Sequence, residues 1–409
     1  MDHRSHKRKF SAFKSVLSVL CAVSLGATVI PISSAAAAEE TIYYFSIDGS
    51  DSNDGLSPES PKKSLSLIPE LLQPGTTVLL KRGDAWYEKG LYLDFADKTG
   101  TADEPITISS YGEAEEAPVI ADMTLFTAAD WTAVESETGD LWKTDFAFDT
   151  KRVYLDGALT VSSDSASDME ENTYYLDDEN DLLYLKAQTL PEKTEIISAA
   201  SNPLIHYENS SYITLKDLSI KGGGYWTALL GEAPTEGLQF DNLSVSQISQ
   251  YGMQMMHGSD QNAVHESIRI ENCYFDRGWS QAFYDKNKNA LTADGICLRN
   301  AVNNAIVRGT TVLNFGHTGI NCEVLNSGYP GVMNCIIEDN VISAEESPYL
   351  RAFEFKGFAG TCQNNIFRRN YCYTLTNSSH CLGENNKIYG NIFSGITATT
   401  ADTTTIQPY

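Results

Sequence analysis

One short motif recurs seven times between Ile213 and Phe393, at intervals of 21 to 37 residues. Each copy has an apolar residue, a spacer, a second apolar residue, a polar residue or Gly two positions later, and an apolar residue three positions beyond that. The copies are Ile213-Leu215-Asp217-Ile220, Leu238-Phe240-Asn242-Val245, Ile268-Ile270-Asn272-Phe275, Ala305-Val307-Gly309-Val312, Cys335-Ile337-Asp339-Ile342, Asn365-Phe367-Arg369-Cys372 and Asn386-Ile388-Gly390-Phe393. Repetition at such a period is typical of stacked units in which each covers the apolar face of its neighbour. The alternation has period two, so the pattern predicts strands rather than helices.

The chain divides into five predicted segments. Residues 1–38 have a basic start, an apolar run over 16–32 and three alanines before Glu39, which predicts a signal peptide that is cleaved from a secreted protein. Residues 39–112 are predicted to form an N-terminal cap and the first strands. Residues 113–205 are predicted to be a small β-rich insert, with a hairpin that pairs 174–176 with 182–185. Residues 206–396 are predicted to form the repeated coils, and 397–409 a Thr-rich tail.

The mature chain is strongly acidic. Removal of residues 1–38 takes away five basic residues and Asp2, which leaves 24 Lys and Arg against 53 Asp and Glu and a net charge near −29. Such a surface argues against nucleic acid and anionic membranes as partners. It does not argue against an acidic polysaccharide, because a local group of cations can reverse the field in a groove. The predicted state of the chain is a monomer.

Seven cysteines remain in the mature chain, all between Cys273 and Cys381. None of them has a CxxC spacing, so a zinc site is not expected. Four lie at inward-facing positions of the repeat, where a thiol packs as a small apolar group: Cys273, Cys322, Cys335 and Cys372. One disulfide between neighbouring coils stays open as an alternative.

A further column supports the stacking. The residues that follow the polar or Gly position are Leu218, Leu243, Cys273, Thr310, Asn340, Asn370 and Asn391. Asn in three successive coils predicts a stack of side-chain amides at a tight turn, each hydrogen-bonded to the next coil. With this stack, the coils resemble the right-handed parallel β-helix family typified by pectate lyases. The resemblance implies an all-β fold, a right-handed parallel β-helix (a solenoid) with an N-terminal cap and a small antiparallel β insert, in a secreted carbohydrate-active protein.

In that family, substrate lies along the sheet that the first strands of the coils form. These strands align here as 252–256, 295–299, 319–323 and 352–356. Their second and fourth residues are apolar and are predicted to face the core, so the third and fifth are predicted to face outward. The outward columns are Gln254, Cys297, Asn321 and Glu354 at the third position, and Met256, Arg299, Glu323 and Lys356 at the fifth. Just before the strands lie Asp294, His317 and Arg351.

The function that this cluster favours is β-elimination from a uronate polysaccharide, which needs a cation to neutralise the substrate carboxylate and a base to remove the adjacent proton. The predicted catalytic residues are Lys356, Arg299, Glu323 and His317, with Lys356 or Arg299 as a base whose pKa is lowered by a cationic neighbour or calcium. The predicted substrate-binding residues are Asn321, Arg351, Trp279 and Tyr251, and Trp226 and Tyr284 are further aromatic residues suited to stacking on sugar rings. The predicted ligands of a calcium ion are Asp294, Glu323 and Glu354. No other cofactor is expected.

Two alternatives stay open. Asp294-Gly295-Ile296, Gly316-His317-Thr318-Gly319 and the pair Arg351 and Lys356 resemble, in this order, the active-site motifs of polygalacturonases, which are hydrolases. The chain departs from that family, because a paired Asp-Asp is missing, Thr318 is extra, and Arg351 and Lys356 are five residues apart rather than two. An inverting hydrolase needs two carboxylates roughly 6.5–9.5 Å apart, one as acid and one as base, for which Asp294 and Glu323 are the candidates. The other alternative is a non-catalytic carbohydrate-binding or surface protein.

Overall fold

The computed structural model describes residues 40–135, 139–199, 202–224, 226–287, 293–344, 351–357, 360–374, 379–381, 383–394, 398–400 and 405–407. The predicted signal peptide and part of the predicted tail lie outside these residues. Within them, nearly all regular structure is β-strand, and most strands return to three long parallel sheets. We call these the first, second and third sheets.

The first sheet contains the strands that were predicted to bind substrate. Its parallel strands are Leu93–Asp94, Ile205–Ser211, Thr227–Glu236, Tyr251–Met256, Ile296–Arg299, Thr318–Glu323, Arg351–Lys356, Ser379–Cys381 and Ala398–Thr400. Shorter strands extend it alongside the end of Thr227–Glu236: His265–Glu266, Ala301–Asn303, Gly331–Met333 and Cys362–Gln363. Neighbouring strands come from successive coils, so residues far apart in the sequence become neighbours on one face.

The second and third sheets complete each coil. The second consists of Thr41–Phe45, Thr76–Lys81, Ile106–Tyr111, Ile213–Lys216, Gln239–Asp241, Arg269–Glu271, Ile306–Arg308, Ile336–Glu338, Ile366–Arg368, Lys387–Tyr389 and Thr405–Gln407. The third consists of Ala85–Tyr87, Val119–Asp122, Ser219–Gly222, Ser244–Ile248, Tyr274–Asp276, Thr311–Leu313, Val341–Ala344, Tyr371–Thr374 and Ile392–Ser394. One coil therefore runs through a strand of each sheet in turn before the next coil begins.

The apolar repeat positions form rows inside the coils. Leu215 pairs with Phe240, Phe240 with Ile270, Ile270 with Val307, and Val307 with Ile337. Each of these five side chains is at most 1% exposed. A second row joins Ile220, Val245, Phe275, Val312 and Ile342 on the third sheet. Full burial of each such side chain contributes about 1.5–3 kcal/mol, so the rows supply the core, and the predicted parallel β-helix is confirmed.

The polar or Gly column of the repeat is explained by backbone geometry. At Asp217, Asn242, Asn272, Gly309, Asp339, Arg369 and Gly390 the angle φ lies between 50 and 66°. This left-handed conformation is favourable for Gly and tolerated best by Asn and Asp among the other residues. The chain therefore turns between the second and third sheets at the position where the sequence changes from apolar to polar.

The predicted stack of Asn side chains is formed at this turn. Asn340 donates from Nδ2 to Oδ1 of Asn370 at 2.9 Å, and Asn370 donates in the same way to Asn391 at 3.1 Å. The backbone N–H of Asn340 also donates to Oδ1 of Asn370 at 3.0 Å. A second stack that the sequence analysis missed joins the backbone N–H of Cys335 to Asn365, and that of Asn365 to Asn386.

A short helical segment in the predicted N-terminal cap packs against the core of the coils. It consists of a 3₁₀ turn, Leu65–Leu67, and the α-helix Ile68–Leu71. Leu65 and Ile68 are fully buried and pack with the core residues of the coils. A stacked sheet leaves unpaired backbone groups at its end, and an N-terminal cap that covers them stays a prediction.

The insert consists of antiparallel strands with a core of their own. One sheet pairs Thr124–Phe126, Thr150–Leu155, Ala158–Thr160 and Thr194–Ser198, and the other pairs Thr132–Ala133, Leu141–Asp145, Thr173–Asp177 and Leu182–Lys186. The predicted hairpin is confirmed, because Tyr175 lies opposite Tyr184 in an antiparallel pair. Two 3₁₀ turns, Ala128–Asp130 and Ala166–Asp168, lie between these strands. The helix Gln281–Lys286 packs Phe283 against Tyr154 of the insert.

The described cysteine side chains are free thiols. Cys273, Cys297, Cys322, Cys335, Cys362 and Cys372 are all buried and unbridged. The four that were predicted to face inward lie in the core of the coils. Among the described residues, the helices are too short and too polar to cross a membrane.

Candidate functional site

The first sheet aligns the predicted site residues in the expected register. Arg299 lies opposite Glu323, and Glu323 lies opposite Lys356 on the next coil. Their apolar neighbours in the same strands pack in the core, among them Ile296, Leu298, Ile320, Cys322, Phe353 and Phe355. Arg299, Glu323 and Lys356 therefore lie on the outside of the coil, because successive side chains of a strand point in opposite directions.

Glu323 is held between two cations. Arg299 donates from Nε to Oε1 of Glu323 at 2.6 Å, and a second Arg299 nitrogen contacts the same oxygen. On the other side, Nζ of Lys356 lies 3.8 Å from Oε2. The Arg299 guanidinium also lies over the Tyr251 ring, 5.7 Å from its centre. The carboxylate thus orients both cations across three coils.

A second chain of contacts runs beside the first. Nδ1 of His317 lies 2.7 Å from Oδ1 of Asp294, and Nε2 of His317 lies 3.1 Å from a nitrogen of Arg351. Arg351 lies in turn 3.3 Å from Oε1 of Glu354, and Asn321 donates to Oδ2 of Asp294 at 3.0 Å. A guanidinium can only donate, so Nε2 accepts and Nδ1 carries the proton that it donates to Asp294.

Exposure separates these residues into two groups. The carboxylate side chains are almost inaccessible, with 1% exposed for Asp294, 5% for Glu323 and 1% for Glu354. The basic side chains reach solvent, with 35% exposed for His317, 29% for Arg351 and 47% for Lys356. The third-position residues Gln254, Cys297, Asn321 and Glu354 were predicted to face outward, and all four side chains are nevertheless buried. The accessible part of the site is therefore basic, although the whole protein is acidic.

The pKa values correct one predicted role. Burial alone would lower the pKa of Arg299, but the electrostatic influence of Cys297 and Glu323 outweighs it and raises the pKa. A base with a lowered pKa was expected here, and Arg299 does not fit that role. For His317, the hydrogen bond to Asp294 raises the pKa above 6.5, against the opposing effects of burial and of Arg351. Burial raises the pKa of the Cys297 thiol, which keeps it neutral.

The donor set does not fit the predicted calcium ion. Ligand atoms of Asp294 and Glu323 do approach within 4.8 Å, but the third member of that group is Cys297 rather than Glu354. Calcium prefers hard oxygen ligands, and a buried thiol is a poor one. Each predicted carboxylate also already holds a basic side chain, which the ion would have to displace. No reaction step is therefore assigned to calcium.

The aromatic residues lie in different places. Tyr251 begins a strand of the first sheet and contacts Arg299. Trp279 was predicted to bind substrate, but it packs against the apolar cluster that contains Tyr154 and Phe283. Trp226 is 55% exposed, and the side chain of Tyr284 lies outside the described residues.

Sequence analysis missed the part of the first sheet that precedes Tyr251. His206 and Glu232 lie on the strands Ile205–Ser211 and Thr227–Glu236, which continue the same face. His206 pairs with Asp94, a residue that is 112 positions earlier and lies before the insert. One sequence signal could have identified this part of the sheet. Leu229 lies opposite Met253 of the next coil, and both apolar side chains are buried.

Comparison with known proteins agrees with this architecture. A model of the family described as "Right handed beta helix region" matches residues 203–407, about half of the chain. The chain belongs to the right-handed β-helix family. This β-helix chain is also 45% identical over 85 residues to a lacto-N-biosidase of Bifidobacterium longum subsp. longum. That match covers 20% of the chain and 5% of the relative, so the chain spans only a small part of that protein's length.

Solved structures similar to this β-helix include carbohydrate-active enzymes. One described as a glycoside hydrolase has a TM-score of 0.53 and 11% identity, and the match covers 89% of this chain and 96% of that one. A pectate lyase has a TM-score of 0.47 and 14% identity, with 89% and 77% covered. At these identities the first likeness shows the fold alone, and the second carries no argument.

Proposed function

We propose that this β-helix protein cleaves an acidic polysaccharide by β-elimination, outside the cell and as a monomer. The observation that carries the proposal is the separation of exposures on the first sheet. The accessible groups are one imidazole and two cations, whereas the carboxylates that hold them are buried. A base and a carboxylate-neutralising cation are the groups that β-elimination requires, and neither needs to be a carboxylate.

His317 is the proposed base. Asp294 fixes the ring through Nδ1, as a carboxylate does in other catalytic His pairs, so that Nε2 faces outward. In the absence of substrate, Arg351 donates to Nε2. A uronate carboxylate that binds Arg351 and Lys356 would draw the guanidinium away and leave Nε2 free to accept a proton.

The proposed reaction balances with these groups alone. Nε2 removes the proton from the carbon adjacent to the substrate carboxylate, and the electron pair forms a carbon–carbon double bond as the glycosidic C–O bond breaks. The imidazolium then returns the proton to the departing oxygen. Arg351 and Lys356 stabilise the negative charge that develops on the carboxylate. Arg299 has a positioning role, because its contact is with Glu323.

The test measures formation of the carbon–carbon double bond in the product. The mature protein is incubated with polygalacturonate, alginate and neutral glycans, and both ultraviolet absorbance of the unsaturated product and reducing ends are recorded. We expect absorbance with an acidic polymer and a loss of about 10²–10⁴-fold in kcat for His317→Ala. Leu325→Ala, at an exposed apolar position, is the matched control. Full activity of His317→Ala would overturn the assignment of the base.

Hydrolysis is the second candidate, and a specific observation favours it. Carboxylate oxygens of Asp294 and Glu323 lie within 4.8 Å of each other, which is closer than the roughly 6.5–9.5 Å that an inverting glycosidase needs and leaves the retaining mechanism. The local match to a lacto-N-biosidase supports the same reading. Reducing ends without absorbance, on glycans that include lacto-N-biose units, would establish hydrolysis. Binding without either product would establish the non-catalytic alternative.

A further inference from the structure

A cavity of about 310 Å³ opens on the first sheet, on the coils that precede the proposed catalytic residues. Its volume is at the lower end of the range of about 300–1,000 Å³ for small-molecule sites. The side chains that the argument uses are Tyr92, His206, Trp226, Glu232, Gln254 and Met256. Gln254 and Met256 belong to the strand next to Ile296–Arg299, so the cavity adjoins the proposed active site on the same face.

The polar lining of the cavity is built and held in place. His206 lies between two carboxylates, with Nδ1 at 3.0 Å from Oδ1 of Asp94 and Nε2 at 3.0 Å from Oε2 of Glu232. The two carboxylates favour the protonated imidazole, in which both ring nitrogens donate, and the Tyr92 hydroxyl lies 3.1 Å from Nδ1 as well. Burial opposes that charge, but the two carboxylates outweigh it and raise the pKa of His206. The ring therefore fixes the two carboxylates, whose side chains remain 46% and 33% exposed.

A buried amide faces this cavity without a partner. Gln254 is 3% exposed, yet across the described part of the chain its side chain has no hydrogen bond. Because the Gln254 side chain lines the cavity, a ligand or water there can supply the hydrogen bonds that the protein does not. An amide both donates and accepts, as a sugar hydroxyl does. Gln254 thus points to a ligand that is rich in hydroxyl groups.

The apolar lining fits the face of a sugar ring. Trp226 is 55% exposed beside these polar groups. Tyr92 stacks on the His206 ring, with 6.3 Å between the ring centres and 25° between their planes. A large exposed aromatic surface beside converging hydrogen-bond groups is typical of a binding site for an amphipathic ligand. Aromatic side chains beside hydrogen-bonding groups indicate a sugar-binding site more specifically than a cluster of carboxylates alone.

We propose that this cavity is a subsite for an uncharged sugar residue of the substrate chain. Its carboxylate acceptor, Glu232, takes hydroxyl donors and repels a uronate, whereas the accessible part of the neighbouring site is basic. Glu232 and Glu323 are three strands apart, roughly 14 Å at the usual strand spacing. The inferred substrate therefore has an acidic residue at the reacting position and an uncharged one further along. This inference rests on the proposed function, which places the acidic sugar residue of the substrate at Arg351 and Lys356.

A divalent cation is the competing occupant. His206, Glu208 and Glu232 offer ligand atoms within 4.8 Å of one another. Against a metal, carboxylates already engage both His206 nitrogens, and Trp226 offers no ligand atom. Titration with zinc and with calcium is therefore an arm of the test.

Direct binding separates this inference from the proposed function. The mature protein and its His317→Ala variant are titrated with cellotetraose, xylotetraose, mannotetraose and tetragalacturonate by calorimetry. We expect at least one uncharged tetrasaccharide to bind both proteins, and Trp226→Ala and Gln254→Leu each to weaken binding by about five- to tenfold. Leu56→Ala, a substitution of an exposed apolar residue on the N-terminal cap, is the control.

Each outcome decides one claim. Binding that is lost in Trp226→Ala and Gln254→Leu, with no turnover by any protein, supports the subsite and overturns the proposed function. Turnover with no binding of an uncharged probe, or with binding unaffected by both substitutions, overturns the subsite alone. Tight zinc or calcium binding that is lost in Glu232→Gln, without saccharide binding, overturns it in favour of a metal site. Circular dichroism of each variant confirms that it is folded.

Discussion

A hydrogen bond of 2.7 Å joins Nδ1 of His317 to Oδ1 of Asp294. The His317 side chain is 35% exposed, whereas the Asp294 side chain is only 1% exposed. This bond raises the pKa of His317 above 6.5. The neutral imidazole, which is the form that can accept a proton, therefore predominates only at a pH above that raised value. We expect the rate of elimination to rise with pH through a midpoint above 6.5.

Asp294→Asn tests the cause of that midpoint. The variant removes the negative charge that stabilises the imidazolium, so the midpoint should move to lower pH. It should also lower kcat by about 10²-fold or more, because an amide no longer enforces the productive tautomer. The measurement is a pH profile of kcat/KM for both proteins. An unchanged midpoint in an active Asp294→Asn would show that another group titrates.

Arg351 links the base to substrate binding. Its guanidinium contacts both His317 and the buried Glu354, and 29% of the side chain is exposed. We expect Arg351→Lys to raise KM for the acidic polymer, since an ammonium cannot form the bidentate contact with a carboxylate. It should have little effect on binding of an uncharged tetrasaccharide. Equal losses for both ligands would indicate a structural role instead.

Chelation should leave elimination unchanged. The carboxylates predicted to bind calcium hold Arg299, Lys356, Arg351 and His317, and the ligand atom that lies within 4.8 Å of both Asp294 and Glu323 belongs to the Cys297 thiol. Because an ion would have to displace these basic groups, we expect EDTA to have no effect on rate. The measurement is initial rate in chelated and calcium-supplemented buffer with a fixed ionic strength. A rate that is lost with EDTA and restored by calcium would contradict the argument from the donor set.

The sequence predicted the stacking because it depends on short-range rules. Side chains alternate along every strand, and the left-handed turn selects Gly, Asn or Asp, so Leu215, Phe240 and Ile270 could be aligned without coordinates. The register of Arg299, Glu323 and Lys356 followed from the same rules. The place of each of these residues within its coil therefore determines which residues lie beside it.

The rest depends on contacts that a period cannot show. Asp94 reaches His206 across the whole insert, so no local pattern joins them. The burial of Asn321 and Glu354 depends on surrounding side chains rather than on the strand that carries them. Of the two predicted bases, Lys356 and Arg299, Arg299 does not fit the role for a related reason, because its pKa follows from its partners and not from its column.

Asn370 allows the contribution of the Asn stack to be measured. It is 1% exposed, accepts from the backbone of Asn340 and donates to the carbonyl of Ile337 at 3.0 Å. Asn370→Ala leaves a buried N–H and a buried C=O without partners, each at a cost of about 1–3 kcal/mol. We expect a lower urea midpoint, whereas Asn262→Ala, at an exposed position, should leave it within error. Asn370→Asp should also destabilise, because a carboxylate cannot donate to Ile337 and its charge is buried. If Asn370→Ala matched the exposed control, the stack would be a consequence of the turn rather than a cause of its stability.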